Sequence, residues 1–266
     1  MGIRINTNVE ALNAQRNLNS TAVSFGKSVE KLSSGLRINR AADDAAGLVI
    51  SEKLRGQVRG LNQAVRNAQD GISMIQVGEG ALNEVHSMLQ RIRELAVQRA
   101  NTGTVDSAGA AAIDAEADSL GEAIIDVATN TTFNGVAVLD DLAAGDATFQ
   151  VGANDGEEFD LVTTAAGVLT TALDLSSDTI ADIDAAIADV STQRGAFGAA
   201  QNTLEHVVNN LSVASENMAA SESRIRDLDV AAEMVAFTKT QILQQAGVAI
   251  LAQANQAPQN VLSLLR

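Results

Sequence analysis

The sequence predicts a mainly α protein, a long antiparallel helical coiled-coil bundle that carries one small β-hairpin unit. Apolar residues recur every three or four positions along three long stretches, which is the pattern of helices that pack along their length. The chain has a single proline, six phenylalanines and no tryptophan or tyrosine. Because aromatic side chains supply much of the bulk of most cores, this composition favours helices packed closely through Ala, Val, Leu and Ile.

The longest regular stretch predicts a helix from Leu54 to Gln98, roughly 65 Å long at about 1.5 Å per residue. A helix of this length needs partners along its apolar seam. That seam consists of Val58, Leu61, Val65, Ala68, Ile72, Ile75, Leu82, Val85, Leu89, Ile92 and Ala96.

The N-terminal part predicts a second coiled-coil seam over residues 18–36, with Leu18, Ala22, Phe25, Val29, Leu32 and Leu36 at 4-3 spacing. Asn6, Thr7 or Asn8 is expected to cap its start, since these side chains accept from the first backbone N–H groups. The run SSGLRINRAADDAAG then predicts an elbow, with Asp43 or Asp44 capping the long helix.

After a third helix, predicted over Ala108–Val127, the period changes. Short β-branched runs broken by Gly and Asp predict two or three strands between about 136 and 163, and Asn134-Gly135 favours a turn. Together these strands predict one hairpin unit.

Helical spacing returns at Thr179 and predicts a helix of about forty residues to Met218, the antiparallel partner of Leu54–Gln98. Ser221–Asp229 predicts a second elbow. The last segment, from Val230, is apolar on more than one side, which indicates burial, most simply against other subunits.

Charge and composition exclude several classes of function. The net charge is −15, and no Lys or Arg lies between Arg99 and Arg194, so no basic face for nucleic acid is present. The apolar runs are too short to predict a membrane span. The N-terminus lacks the pattern of a Sec-type signal, and no catalytic constellation or cofactor motif is found.

Two apolar terminal helices predict a polymerisation surface, because their burial needs more partners than one chain supplies. The candidate residues are Leu18, Phe25, Val29, Leu32, Met234, Phe237, Ile242, Leu243, Val248, Leu251, Leu262 and Leu265.

Four segments carry a family resemblance. SSGLRINRAADDAAG and the long helix after it resemble the N-terminal half of bacterial flagellin, and TTFNGVAVL and FQVGANDGE resemble the segments that follow. The last segment, RIRDLDVAAEMVAFTKTQILQQAGVAILAQANQAPQNVLSLLR, is similar to the flagellin C-terminus. The resemblance covers nearly the whole chain and implies a short form without the outer variable domains.

The resemblance implies a structural subunit of the flagellar filament, not an enzyme. Residues 1–40 and 225–266 would form the inner tube, and 41–224 the helical rod of the outer tube. It also implies export without a cleaved signal peptide through the type III apparatus, an extracellular location, and as partners copies of itself, an export chaperone and the filament cap.

Gln90, Arg91, Glu94 and Leu95 resemble the flagellin segment that the host innate receptor TLR5 recognises. The alternative is a charged helix face that packs on neighbouring subunits, with Arg91 and Leu95 on one face. The two roles are compatible, because a surface covered in a filament is exposed on a shed monomer.

The sequence admits three other interpretations: a junction protein, a histidine metal site and an acidic metal site. A hook–filament junction protein resembles flagellin at both ends and is the main rival. His86 and His206 would be a metal pair only if facing helices joined them, and surface or interface histidines are expected. The acids at Asp155, Glu157, Glu158 and Asp160 lack EF-hand spacing and predict a solvated acidic tip without metal.

Overall fold

The computed structural model describes residues 7–101, 103, 105–139, 147–161 and 179–264. Within them lie five helices, α1 (Val9–Ser34), α2 (Ala45–Arg99), α3 (Ser107–Asn130), α4 (Ile180–Arg226) and α5 (Val230–Leu264). Four short strands are β1 (Thr132–Phe133), β2 (Val136–Ala137), β3 (Ala147–Gln150) and β4 (Glu158–Leu161). The predicted mainly α fold is confirmed. None of the described helices combines the length and apolarity needed to cross a membrane.

The chain divides into two compact units. Unit 1 comprises residues 1–56 and 218–266, and unit 2 comprises residues 57–217. The helices α2 and α4 each contribute to both units, so each unit is described from its own residues.

Unit 2 is built on antiparallel packing of α2 and α4. Three side-chain contacts join the two helices: a hydrogen bond between residues 62 and 215, and ion pairs between residues 79 and 194 and between residues 93 and 184. The residue numbers rise along α2 as they fall along α4, so the two helices are antiparallel. The α2 seam is buried where the spacing predicted it, and Ala68, Ile75, Leu82, Leu89, Phe197 and Leu204 lie in one core. The predicted antiparallel pair is therefore confirmed.

Helix α3 packs antiparallel against the C-terminal part of α2. Arg91 and Arg99 of α2 pair with Glu116 and Asp114 of α3, respectively. Asp106 caps α3 by accepting from the Gly109 N–H at 2.7 Å. The helix buries Ile113, Ala117 and Ile124 and continues three residues past Val127, to Asn130.

The β structure differs from the prediction in number and start. Two separate two-stranded sheets replace the single hairpin unit expected at 136–163, and the first begins at Thr132. Its turn is the predicted Asn134-Gly135, with φ of 51° and 82°. The positive φ at both residues matches the twist of a two-residue hairpin. The second sheet pairs β3 with β4 from Ala147↔Leu161 to Gln150↔Glu158.

Both hairpin regions approach α2 closely at glycines. A Cβ on Gly78 would lie 2.7 Å from Phe197 Cε2 and 2.9 Å from Val138 Cγ1, and one on Gly60 would lie 2.9 Å from the Ala153 Cβ. Val138, which follows β2, and Ala153, in the connection between β3 and β4, therefore lie against α2 where the helix has no side chain.

Unit 1 contains the pair α1 and α5. Asn8 caps α1 through its Oδ1, which accepts from the Ala11 N–H at 3.1 Å, and Gly35 ends it with φ of 72°. Helix α1 begins at Val9, directly after Asn8, which is one of the three predicted caps, and alanines at 11 and 14 continue the stripe toward this cap. The rings of Phe25 and Phe237 stack between the two helices, with centroids 5.0 Å apart.

The elbow of unit 1 joins the chain after α1 to the chain after α4. The Arg37 N–H donates to the Arg226 carbonyl at 2.7 Å, and the Leu228 N–H donates to the Gly35 carbonyl at 3.0 Å. The largely buried Arg226 pairs with Glu52. Asp44 caps α2 through the Gly47 N–H at 2.8 Å, so the second of the two predicted caps is the one used.

Candidate assembly and recognition surfaces

The predicted polymerisation residues divide into two sets. Five are half-buried within unit 1, and these are Leu18, Phe25, Leu32, Phe237 and Leu251. Five are exposed by 42–59%, and these are Val29, Met234, Ile242, Leu243 and Val248. Leu262 lies in α5, and Leu265 lies outside the described residues. The first set joins α1 to α5, and the second faces away from that pair.

The exposed apolar surface on α5 is wider than the predicted set. Val235 and Ile250 are 71% and 60% exposed. A shallow groove is lined by Met234, Val235, Thr238, Lys239, Ile242 and Leu243. The sequence carried the signal for Val235, since α5 is apolar around most of its circumference. Exposed apolar surface of this extent marks an interaction site.

Unit 1 buries almost no apolar side chains of its own. Among the described residues, the fully buried apolar side chains of unit 1 are Ile38 and Ala254, whereas unit 2 buries more than twenty. A unit with so small a core gains little from folding alone, because ordering the backbone costs about 1–2 kcal/mol per residue. The described part of the pair α1 and α5 therefore has little apolar core of its own.

The candidate recognition residues lie on α2 where α3 packs against it. Arg91 donates through Nε and Nη2 to Glu116 Oε1, at 3.0 and 2.8 Å, and through Nη1 to Glu94 Oε2 at 3.1 Å. Gln90 Nε2 lies 2.9 Å from His86 Nε2. Gln90, Arg91 and Glu94 are exposed, so the three present amide, guanidinium and carboxylate groups to solvent.

Leu95 departs from the predicted arrangement. Its side chain is 1% exposed and lies in the core of unit 2, whereas the sequence analysis placed it on one face with Arg91. The reason is that Leu95 falls three residues after the seam residue Ile92, so it continues the buried stripe. It anchors the segment from within and offers no contact surface in this fold.

Ion pairing reinforces the charges of this region. The Glu116 carboxylate, and then that of Glu94, raise the pKa of Arg91, and Asp184 raises the pKa of Arg93. Both guanidinium groups are half exposed. They therefore remain cationic and oriented at the surface.

The metal interpretations gain no support from the geometry. His86 is half-buried beside Gln90, and His206 is exposed. The described residues contain no group of three His, Asp or Glu placed to hold a metal ion. At the second hairpin, Glu157 binds the backbone N–H and the side-chain amide of Asn154, which is a turn-stabilising role.

Comparison with known families covers both ends of the chain. Residues 5–144 match the bacterial flagellin N-terminal helical region, and residues 180–265 match the bacterial flagellin C-terminal helical region.

Individual relatives match over nearly their full length. The flagellin of Halalkalibacterium halodurans is 53% identical over 272 residues, with 98% of this chain and 99% of the relative covered. The flagellin of Bacillus subtilis is 48% identical over 305 residues, with 99% and 100% covered. The flagellar filament 33 kDa core protein of Treponema phagedenis is 46% identical over 285 residues, with 98% and 99% covered. The chain therefore belongs to the bacterial flagellin family.

Proposed function

We propose that this flagellin-family chain, a structural subunit of the bacterial flagellar filament, assembles through the terminal helices of unit 1. The contrast between the two units carries the proposal, because unit 2 has a continuous core and unit 1 buries only two apolar side chains among the described residues. Covering each large apolar side chain on α5 is worth roughly 1.5–3 kcal/mol relative to exposure. Copies of the same chain supply that cover in a helical homopolymer.

The proposed arrangement places residues 1–40 and 225–266 in the inner tube and 41–224 in the outer tube. The inner position suits the apolar terminal helices. The outer position suits the acidic middle of the chain, since no Lys or Arg lies between Arg99 and Arg194 and a surface of one sign remains solvated.

A substitution on the exposed face of α5 tests the assembly. Ile242 is 59% exposed, so Ile242→Glu leaves unit 2 intact and places a charge where a neighbouring subunit is expected. We expect Ile242→Glu to abolish filament growth from purified protein, measured by sedimentation and electron microscopy. The control Ile242→Val keeps an apolar group and should polymerise. Normal filaments from Ile242→Glu would contradict this surface.

The length of the filaments that the unsubstituted protein forms also distinguishes a filament subunit from a hook–filament junction protein. A hook–filament junction protein acts in few copies and would form only short oligomers under polymerising salt. Filaments hundreds of subunits long would exclude that alternative.

We further propose that the subunit is extracellular and reaches the filament by export without a cleaved signal peptide. Its partners on that route would be a cytoplasmic export chaperone on the C-terminal helix, the type III export apparatus and the filament cap. The exposed apolar face of α5 supports a chaperone, since it needs cover before assembly. Mass spectrometry of subunits from shed filaments tests the export route, and loss of an N-terminal segment longer than the initiator Met would contradict it.

A second candidate function is recognition of the monomer by the host receptor TLR5. The exposed side chains of Gln90, Arg91 and Glu94 support it, with Leu95 as their buried anchor. Arg91→Ala should lower potency in a receptor reporter assay. Arg93→Ala is the matched control, because Arg93 lies on the same helix and loses a comparable ion pair, with Asp184 of α4. Equal potency of the unsubstituted and Arg91→Ala proteins would exclude recognition through this segment.

A further inference from the structure

The single proline of the chain lies inside α5 and removes one backbone hydrogen bond from that helix. In an α-helix each N–H donates to the carbonyl four residues earlier, and proline has no N–H. Pro258 therefore withdraws the helical donor from the carbonyl of Ala254. Ala254 is 8% exposed, and a buried carbonyl without a donor is destabilising.

The missing donor is replaced by a side chain from the other end of the sequence. Asn8 Nδ2 donates to the Ala254 carbonyl at 2.7 Å, across 246 positions of sequence. The Oδ1 of the same side chain accepts from the Ala11 N–H at 3.1 Å and caps α1. One carboxamide thus begins α1 and completes the hydrogen bonding of α5.

We propose that Asn8 is a positioning residue that sets the register of α1 along α5. An apolar seam that repeats every 3.5 residues does not by itself specify which turn of one helix faces which turn of the other, and one polar contact can select the register. Carbonyls within α5 take donors from their own helix, and Pro258 makes that of Ala254 the exception. Asn8 therefore has one preferred position along α5.

The remaining contacts of the pair follow the register that Asn8 selects. A Cβ on Gly247 would lie 3.1 Å from Leu18 Cδ1, so Leu18 packs where α5 has no side chain. Phe25 stacks on Phe237 farther along. The pairs 8–254, 18–247 and 25–237 run antiparallel in one alignment. That alignment decides which exposed apolar residues of α1 and α5 stand side by side for the next subunit, so the inference rests on the proposed filament assembly.

Three substitutions separate the donor role of Asn8 from its capping role. Asn8→Asp keeps a strong capping oxygen but removes the donor to Ala254. Asn19→Asp makes the same charge change at an exposed position of the same helix. Pro258→Ala returns an N–H to α5, so that the Ala254 carbonyl no longer depends on Asn8.

The measurement is the critical concentration of purified protein in polymerisation seeded with unsubstituted filaments. Loss of a buried hydrogen-bond partner predicts a rise of about tenfold for Asn8→Asp, against about twofold or less for Asn19→Asp. Pro258→Ala alone should also raise the value by about tenfold, because Asn8 then has no unpaired carbonyl to select, and adding Asn8→Asp to it should raise the value by about threefold or less.

The Pro258→Ala background decides the outcome. A rise for Pro258→Ala alone with little further rise in the double variant supports the proposal, and so does a failure of both single variants to form filaments. A harmless Pro258→Ala that rescues Asn8→Asp would show that Asn8 only satisfies a buried carbonyl, and this overturns the register role. An equal cost of Asn8→Asp in both backgrounds, or no cost in the unsubstituted background, overturns it. Failure of the unsubstituted chain to polymerise overturns the proposed function as well, so the two failures are distinguishable.

Discussion

Gly78 shows how a single absent side chain shapes unit 2. It is buried on α2, and the residues Phe197 of α4 and Val138 after β2 occupy the space where its Cβ would be. Gly80 lies two residues later on the same helix, and nothing lies within 4 Å of its would-be Cβ. The two glycines have the same helix propensity and opposite surroundings.

Alanine substitutions at these positions should therefore have opposite effects. Gly78→Ala is expected to destabilise the monomer by about 1–3 kcal/mol, because a rigid aromatic ring and a β-branched side chain must move. Gly80→Ala is expected to stabilise it by up to about 1 kcal/mol through helix propensity. Urea unfolding followed by circular dichroism measures both. An unchanged free energy of unfolding in Gly78→Ala would contradict this expectation and show that the side chains around Phe197 move aside at little cost.

At the scale of elements, apolar spacing and capping residues predicted most of the helices. The seam of α2 lies where the sequence placed it. The caps Asn8 and Asp44 are each one of the residues that the sequence offered as alternatives. Spacing did not reveal the buried polar residues Gln193 and Arg226, because partners distant in sequence decide whether a polar group can be buried. The spacing did carry the signal for Leu95, which lies three residues after the seam residue Ile92 and is buried with it, although the sequence analysis grouped it with the exposed Arg91.

The second hairpin offers a prediction about pH. The Asn154 side-chain amide, followed by its backbone N–H, lowers the pKa of Glu157 below its ordinary value of 4.5. A lowered pKa in the folded state means that the stabilisation is present above the unfolded pKa and is lost as the pH falls through the folded pKa. The hydrogen bonds from Asn154 to Glu157, which hold the β3–β4 turn, should therefore break on acidification below about pH 4.5.

Nuclear magnetic resonance can follow the Asn154 side-chain amide during this titration. Its chemical shift should move with a midpoint below 4.5 in the unsubstituted protein. In Glu157→Gln the shift should stay nearly constant over the same range. A titration midpoint at or above the ordinary glutamate pKa would contradict this stabilising role of Glu157.

At the scale of the whole molecule, stability is distributed unequally between the two units. Unit 2 carries the continuous core, and the described part of unit 1 carries caps, an elbow and apolar faces that one chain leaves uncovered. Sequence reasoning identified this asymmetry because α5 is apolar around most of its circumference, a pattern that a single partner helix cannot cover.

Hydrogen exchange should reveal the asymmetry directly. In the monomer, we expect amides at 1–36 and 235–266 to exchange rapidly and those in the α2–α4 core to be protected. In the filament, both sets should be protected, with a matching gain in helicity by circular dichroism. Full protection of the terminal helices in the monomer would contradict the proposal that assembly orders them.

The ion pairs bear on how the protein responds to alkaline solutions. Every ion pair named above takes its cation from arginine, which stays charged far above neutral pH. Only four of the 18 Lys and Arg residues in the whole sequence are lysines. Arginine therefore carries most of the positive charge, and the ion pairs named above keep their attraction in alkaline solutions in which lysine in general loses its charge. A polymer of this chain would thus keep these contacts within each subunit as alkalinity rises.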